Sequence, residues 1–169
     1  MRLVRNVGVG LVAGAIGTAA MDLVFYARYR RGGGKDGIWD WEFASGVTNW
    51  EGASAPGQLG RKVMQFAMGH EPPDEWARAT TNIVHWATGI GWGGQYGVLA
   101  SMSSRYPLAR AVALGPVVWL FGYVVLPLVK VYKPIWAYDA RTLRDDLSAH
   151  MVYGAVASAV FAALTPKER

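Results

Sequence analysis

Three ionisable side chains stand inside long apolar stretches of this 169-residue sequence, where charged groups are costly. They are Asp22, His85 and His150. Each lies six or seven residues from the arginine that bounds its stretch. At about 1.5 Å of helix rise per residue, all three would lie roughly 9–11 Å inside the same face of a membrane. We therefore predict an ionisable intramembrane cluster.

Such a cluster supports more than one chemistry. A carboxylate between two imidazoles favours a charged imidazolium, and histidine changes charge near neutral pH. Two histidines and one carboxylate also match the donors of a metal or haem site, although the sequence has no diagnostic ligand spacing. The structural alternative is that each histidine hydrogen-bonds a neighbouring helix. We predict no metal and no cofactor, and leave haem, pigment or metal at His85 and His150 as an open alternative.

The stretches that carry these residues have the length of transmembrane helices. The predicted spans lie at about 7–27, 79–101, 110–129 and 146–164, near the roughly 20 residues that cross a bilayer. Apolar residues make up 52% of the chain and charged residues 17%, and the charges gather between the stretches. A soluble bundle would show a polar stripe on each helix. The predicted fold is an all-α integral membrane bundle of four transmembrane helices, forming one membrane domain over 1–169.

The second span is the element against which the others are expected to pack. It contains no Asp, Glu, Lys or Arg, and it is rich in glycine. Small residues allow membrane helices to approach closely, because no side chain separates the two backbones. We predict that helix packing depends on six glycines: Gly10, Gly14, Gly89, Gly93, Gly97 and Gly154.

The connection between the first two spans, about 36–72, is rich in tryptophan. It contains a candidate amphipathic helix from Pro56 to Met68, which suits the membrane interface. A helix folded over the ends of the bundle through the same apolar face is the alternative. Because tryptophan is enriched at interface hot spots, we predict a docking role for the tryptophans of the two long connections: Trp39, Trp41, Trp50, Trp76 and Trp136.

The basic balance of the chain does not indicate nucleic acid. The formal net charge is +5, but the basic residues flank the apolar stretches, where they anchor helices at lipid headgroups. The tryptophan-rich side carries more Lys and Arg, whereas Arg2 and Arg5 favour the opposite orientation. Cysteine is absent, which excludes disulfides and thiolate sites. No spacing places a nucleophile, a base and an orienting acid together, so we predict that the protein is not an enzyme.

The second half of the chain carries a longer pattern of Gly, Tyr and His residues. It comprises His85, Gly89, Tyr96-Gly97, Tyr106-Pro107, Gly115, Trp119, Leu126-Pro127, Ser148, His150 and Tyr153-Gly154. Over residues 85–162 this pattern resembles the YagU-like family of bacterial inner-membrane proteins, and residues 36–76 lie outside it. The resemblance implies a multi-pass protein of the bacterial inner membrane, linked to survival in acid, with no established reaction or cofactor.

Two functions are predicted from these features. The first is a non-catalytic accessory or assembly subunit of a larger membrane complex, with a redox or photosynthetic complex as one candidate. Its partners would be membrane lipids and either other membrane proteins or copies of itself. The alternative is an autonomous proton-responsive membrane protein, in acid tolerance or in handling protons, ions or small solutes, that uses Asp22, His85 and His150.

Overall fold

The protein is all-α in the part of the chain that the computed structural model describes, residues 1–102 and 107–165. The helices are α1 (Arg2–Arg31), α2 (Ile38–Glu42), α3 (Ala55–Met68), α4 (Ala77–Met102), α5 (Pro107–Leu128) and α6 (Ala140–Leu164). Short 3-10 turns, Asp74–Trp76 and Ile135–Ala137, precede α4 and α6. The predicted spans fall on α1, α4, α5 and α6, and the predicted amphipathic helix is α3. Tyr106, which belongs to the family pattern, lies outside the described residues.

Three of these helices are long and apolar enough to cross a membrane, namely α1, α5 and α6. The helix α4 has 26 residues but does not reach the same hydropathy. It carries no charged residue after Arg78, and its many Gly, Thr, Asn and Gln residues make it less apolar than the other three. The three apolar helices are compatible with a membrane protein, and the composition of α4 alone does not assign it to the membrane.

The chain forms two compact units. The first contains Met1–Val24, Thr88–Phe121 and Asp139–Arg169, and the second contains Phe25–Ala87 and Gly122–Tyr138. Most of each long helix belongs to the first unit. The second unit holds α2, α3 and the connections around them.

In the first unit, α1 and α4 touch backbone to backbone through glycines. A β-carbon added to Gly14 would lie 2.7 Å from Gly89 O and 3.0 Å from Gly93 Cα. Gly10 meets Gly93 and Gly97 in the same way. Contact positions rise along α1 as they fall along α4, so the two helices are antiparallel neighbours. No layer of side chains fits between them along this stretch.

The helix α6 packs on the other three long helices of the first unit. A β-carbon on Gly154 would lie 2.8 Å from Gly115 Cα of α5. Tyr153 is 1% exposed, and its hydroxyl donates to Gly89 O of α4 at 2.7 Å. A β-carbon on Gly17 of α1 would lie 3.0 Å from Tyr153 O. The structure therefore places all six of the predicted packing glycines against another helix.

The second unit uses glycines to dock α3 on the first turns of α4. A β-carbon on Gly60 would lie 3.0 Å from Val84 Cγ2, and Gly57 also lies against α4. The other face of α3 carries Val63, which is 60% exposed, and Phe66, which is 93% exposed. The contact with α4 is therefore made by the face of α3 that carries Gly57 and Gly60, and Val63 and Phe66 remain exposed.

The start of α6 is fixed by a side-chain cap. The carboxylate of Asp139 accepts from Thr142 N at 2.9 Å and from Thr142 Oγ1 at 2.7 Å. The hydrogen bond from the Thr142 hydroxyl is the main reason that the pKa of Asp139 lies below its ordinary value. The negative charge of Asp139 also interacts favourably with the positive end of the helix dipole, which stabilises the start of α6. Asp146 and His150 lie in the second and third turns of the helix that this cap begins.

The glycine contact between α1 and α4 can be tested with substitutions at two positions of α4 that are two residues apart and therefore on opposite faces of the helix. Gly93→Leu should destabilise the protein by about 1–3 kcal/mol, because its side chain would collide with the backbone of α1. Gly91→Leu is the control, since no atom lies within 4 Å of a β-carbon there. Thermal unfolding of both variants in mild detergent measures the difference. Equal midpoints would show that the backbone contact does not hold the two helices together.

Candidate functional site

Asp22 lies on the face of α1 that also carries Gly10, Gly14 and Thr18, each four residues apart. It is 4% exposed, and Thr18, one turn earlier, is completely buried. The Thr18 hydroxyl donates to Gly14 O at 2.8 Å, and Gly89 of α4 packs against the same side chain. Asp22 therefore lies on the packed face of α1 in the first unit.

His85 of α4 lies beside Glu42, the last residue of α2, in the second unit. A ring nitrogen of His85 and a carboxylate oxygen of Glu42 come within 4.8 Å, and both side chains are half-buried. Nearby, Arg78 Nε donates to Phe43 O at 3.0 Å, and a terminal guanidinium nitrogen donates to Ser45 Oγ at 3.2 Å. These bonds tie the end of α2 to α4, which fixes Glu42 next to His85.

His150 of α6 is accompanied by a carboxylate from its own helix. Its Nδ1 atom lies 3.0 Å from Asp146 O and 3.5 Å from Asp146 Oδ1. The two side chains are 20% and 21% exposed. The backbone of His150 also meets Gly115 of α5, where a β-carbon would lie 2.9 Å from His150 C. The ring therefore contacts its own helix, and the backbone at His150 is positioned by the packing of α5 on α6.

The structure thus gives each of the two predicted histidines a carboxylate neighbour. Asp22 and His150 belong to the first unit and His85 to the second, and the grouping of all three stays a prediction. Each pair combines a carboxylate with an imidazole, two kinds of side chain that serve as proton donors and acceptors in proteins.

The two carboxylates, Glu42 and Asp146, were missed as partners in the sequence analysis. Asp146 and His150 are four residues apart, which places them on one face of a helix, so this pair was detectable from spacing alone. Glu42 gave no such signal, because it lies far from His85 in sequence and ends a helix of five residues. Only the fold brings it to α4.

The tryptophans predicted to dock partners occupy different environments in the second unit. Trp41 packs its ring against Tyr26 and Tyr29, with centroid separations of 5.4 and 6.1 Å. Trp50 is 2% exposed and lies inside the unit. The others remain at the surface: Trp39 is 70% exposed, Trp76 44% and Trp136 85%. The exposed tryptophans are available to a partner, whereas Trp41 and Trp50 contribute to the fold of the unit.

Trp50 holds the connection between α2 and α4 together. Its ring nitrogen donates to Pro72 O at 2.8 Å, and its backbone N donates to the Asp74 carboxylate at 3.2 Å. Its carbonyl accepts from Gln58 Nε2 of α3. Trp50 therefore connects its own segment to α3 and to the segment before α4.

A polar cluster closes the end of α3. The Arg61 guanidinium and the Gln65 amide both donate to the carboxylate of Glu71. The hydrogen bond from Arg61 is the main cause that holds the pKa of Glu71 below its ordinary value. The cluster lies at the surface and is screened by solvent, so it orders the chain after α3 more than it stabilises the whole unit.

The chain matches no protein-family model, no curated protein and no solved structure.

The role of Trp50 can be tested by replacing its indole with a phenyl ring. Trp50→Phe should destabilise the protein by at least about 2 kcal/mol, because the buried Pro72 carbonyl loses its hydrogen-bond donor and the smaller ring leaves a cavity. Trp39→Phe is the control, since that ring is 70% exposed. Chemical or thermal unfolding, followed by tryptophan fluorescence, measures the effect. If the Trp50 variant is as stable as the control, the hydrogen bond and packing of the Trp50 ring contribute nothing to stability.

Proposed function

We propose that this chain is a multi-pass protein of the bacterial inner membrane and acts as a non-catalytic accessory or assembly subunit of a larger membrane complex. The observation that carries the proposal is the set of large aromatic side chains that the second unit leaves exposed. They are Trp39, Phe43, Phe66, Trp76 and Trp136. We call them the exposed aromatic set.

The proposal includes α4 as a fourth transmembrane helix. The helix α1 is long and apolar enough to span, and α4 lies against it from Gly97 to Gly89 with no side chains between the two backbones. Water cannot enter such a contact. We infer that a helix lying antiparallel to α1 over this length crosses the same apolar layer. The glycines that lower its hydropathy support this, because Gly89, Gly93, Gly94 and Gly97 all lie against α1.

The exposed aromatic set has the character of a protein-binding surface. Trp136 is 85% exposed and Phe66 93% exposed, so these rings bury almost nothing within the chain. Exposed aromatic side chains of this kind mark interaction sites, and tryptophan is enriched among the residues that dominate binding energy. Trp50, by contrast, is used internally, so its ring is not part of the proposed surface.

The charges near these rings are of both signs. Exposed basic side chains adjoin Phe66 and Trp136, and exposed acidic side chains adjoin Trp39 and Trp76: Lys62, Lys133, Asp40 and Glu75. Charges at the rim of an interface favour a complementary partner, because complementary charge raises the association rate and rejects wrong partners. We therefore propose a membrane-protein partner whose contacting surface combines an apolar centre with both acidic and basic residues.

The assembly can be tested by native mass spectrometry of the protein released from its own membranes in mild detergent. The unsubstituted chain should appear in a defined larger assembly. Replacing Phe66 and Trp136 with Ser should remove that assembly and leave thermal stability unchanged, since both rings are exposed. Replacing Leu120 and Val124 with Ser is the control, because these are exposed on α5 and outside the set. A lone protomer in the unsubstituted sample would overturn the proposal.

A second candidate function is supported by the His85–Glu42 and His150–Asp146 pairs. An autonomous proton-responsive membrane protein needs ionisable groups that exchange protons near neutral pH, and each histidine lies beside a carboxylate. The resemblance to an acid-survival family favours the same function. The two candidates differ in one respect, because a proton-responsive protein works without a partner.

The proton-responsive candidate predicts proton flux across vesicles that contain only this protein. Glu42→Gln should reduce the flux several-fold, because the neutral amide no longer favours the protonated His85 ring. Glu51→Gln is the control, since Glu51 is exposed in the same connection. A pH-sensitive dye inside the vesicles reports the rate. Flux that is equal in the Glu42 variant and the unsubstituted protein, or absent from both, would exclude this function.

A further inference from the structure

Two apolar grooves open on the first unit, beside the ends of α4, α5 and α6. The larger has a volume of about 620 Å³ and is walled by all three helices. The smaller, about 300 Å³, lies between α4 and α5. Both volumes fall in the range of about 300–1,000 Å³ that is usual for small-molecule sites. Their walls consist mainly of alanine, leucine, valine and aromatic side chains.

Arg110 lines both grooves. Among the described residues that form their walls, it is the only charged one. Tyr96 of α4 also borders both, and its ring packs edge-on against Phe161 of α6 at a centroid separation of 5.1 Å. The guanidinium of Arg110 is thus shared by the walls of the two apolar grooves.

The position of Arg110 along the helices matches a membrane surface. It is in the first turn of α5, about 4.5 Å along the axis from Pro107. The helices α4 and α6 end at Met102 and Leu164, so three helix ends mark this boundary. From there the apolar walls continue inward past Tyr96, roughly 9 Å from the end of α4. Arg110 lies near the helix ends in both grooves, and the apolar walls reach deeper, to Met151 of α6 in the larger groove and to Val117 of α5 in the smaller.

We propose that this site binds one anionic phospholipid, with its phosphate on Arg110 and one acyl chain in each groove. A guanidinium matches a phosphate group with two parallel hydrogen bonds, which a lysine cannot reproduce. Two apolar channels that diverge from one cation have the same arrangement as the two chains of a phospholipid. Small exposed residues on α6, Ala155, Ala159 and Ala162, leave the larger groove open.

The proposal goes beyond the accessory function and does not depend on it, because the exposed aromatic set belongs to the second unit. The two ideas therefore fail separately. A protein that forms no larger assembly can still bind the lipid, and a subunit can lack the lipid site.

The first test measures headgroup selectivity on the purified full-length protein. Native mass spectrometry in detergent, with phosphatidylglycerol or phosphatidylcholine of identical chains, should show one phosphatidylglycerol bound roughly fivefold more tightly. Arg110→Gln should abolish the preference, and Arg110→Lys should retain part of it. Arg144→Gln is the matched control, since Arg144 is exposed on α6 and lines neither groove. Equal affinity for the two lipids, or a preference that survives Arg110→Gln, would overturn the proposal.

The second test fills each groove without touching Arg110. Ala159→Phe in the larger groove and Ala113→Phe in the smaller should each weaken phosphatidylglycerol binding at least about fivefold, because an acyl chain loses its channel. Ala163→Phe is the control, being exposed on α6 outside both grooves. Thermal melting confirms that each variant is folded. Lipid affinity unchanged by both groove variants, or grooves occupied by a second protein in samples from native membranes, would show that no phospholipid is held there.

Discussion

The first unit depends on the direct contact of the α1 and α4 backbones. Membrane helices gain little by excluding lipid from one another, so close packing and polar contacts supply most of their attraction. At Gly14 a single added carbon would lie 2.7 Å from Gly89 O, so this contact has no tolerance for a side chain. The same carbonyl accepts the Tyr153 hydroxyl at 2.7 Å, which brings α6 to the same place. One turn of α4 therefore organises three helices.

The parts of the fold that repeat along a helix could be predicted from the sequence. The glycine stripes of α1 and α4 and the apolar stretches have a period or a length that local physics fixes. The glycines Gly10, Gly14, Gly93 and Gly97 meet because a small residue every four positions forms one face. The composition of α4 could not settle its place, because its glycines lower the mean hydropathy, and Gly89, Gly93 and Gly97 among them lie against α1.

The parts that depend on long-range contacts could not be predicted. Glu42 reaches His85 only because Arg78 and Phe43 tie α2 to α4. The docking of α3 is a second example. Its amphipathic pattern fitted either the membrane interface or packing over the bundle through the apolar face, and the exposure of Val63 and Phe66 is compatible with the first. The contact with α4 is made by Gly57 and Gly60, which allow a closer approach than larger side chains would. Trp50 likewise differs from Trp39 only through its tertiary contacts.

The modest hydropathy of α4 has a consequence for how the chain is made. During synthesis, the translocon exposes each segment to the bilayer in turn, and an isolated helix remains in the bilayer only if it is apolar enough. The helix α1 meets that condition and α4 does not. If α4 does cross the bilayer, its insertion requires that α1, synthesised earlier, is already present to receive its glycine face. The amino-terminal helix would then act as an insertion template for the later one, and the order of the two along the chain would be part of what makes biogenesis succeed.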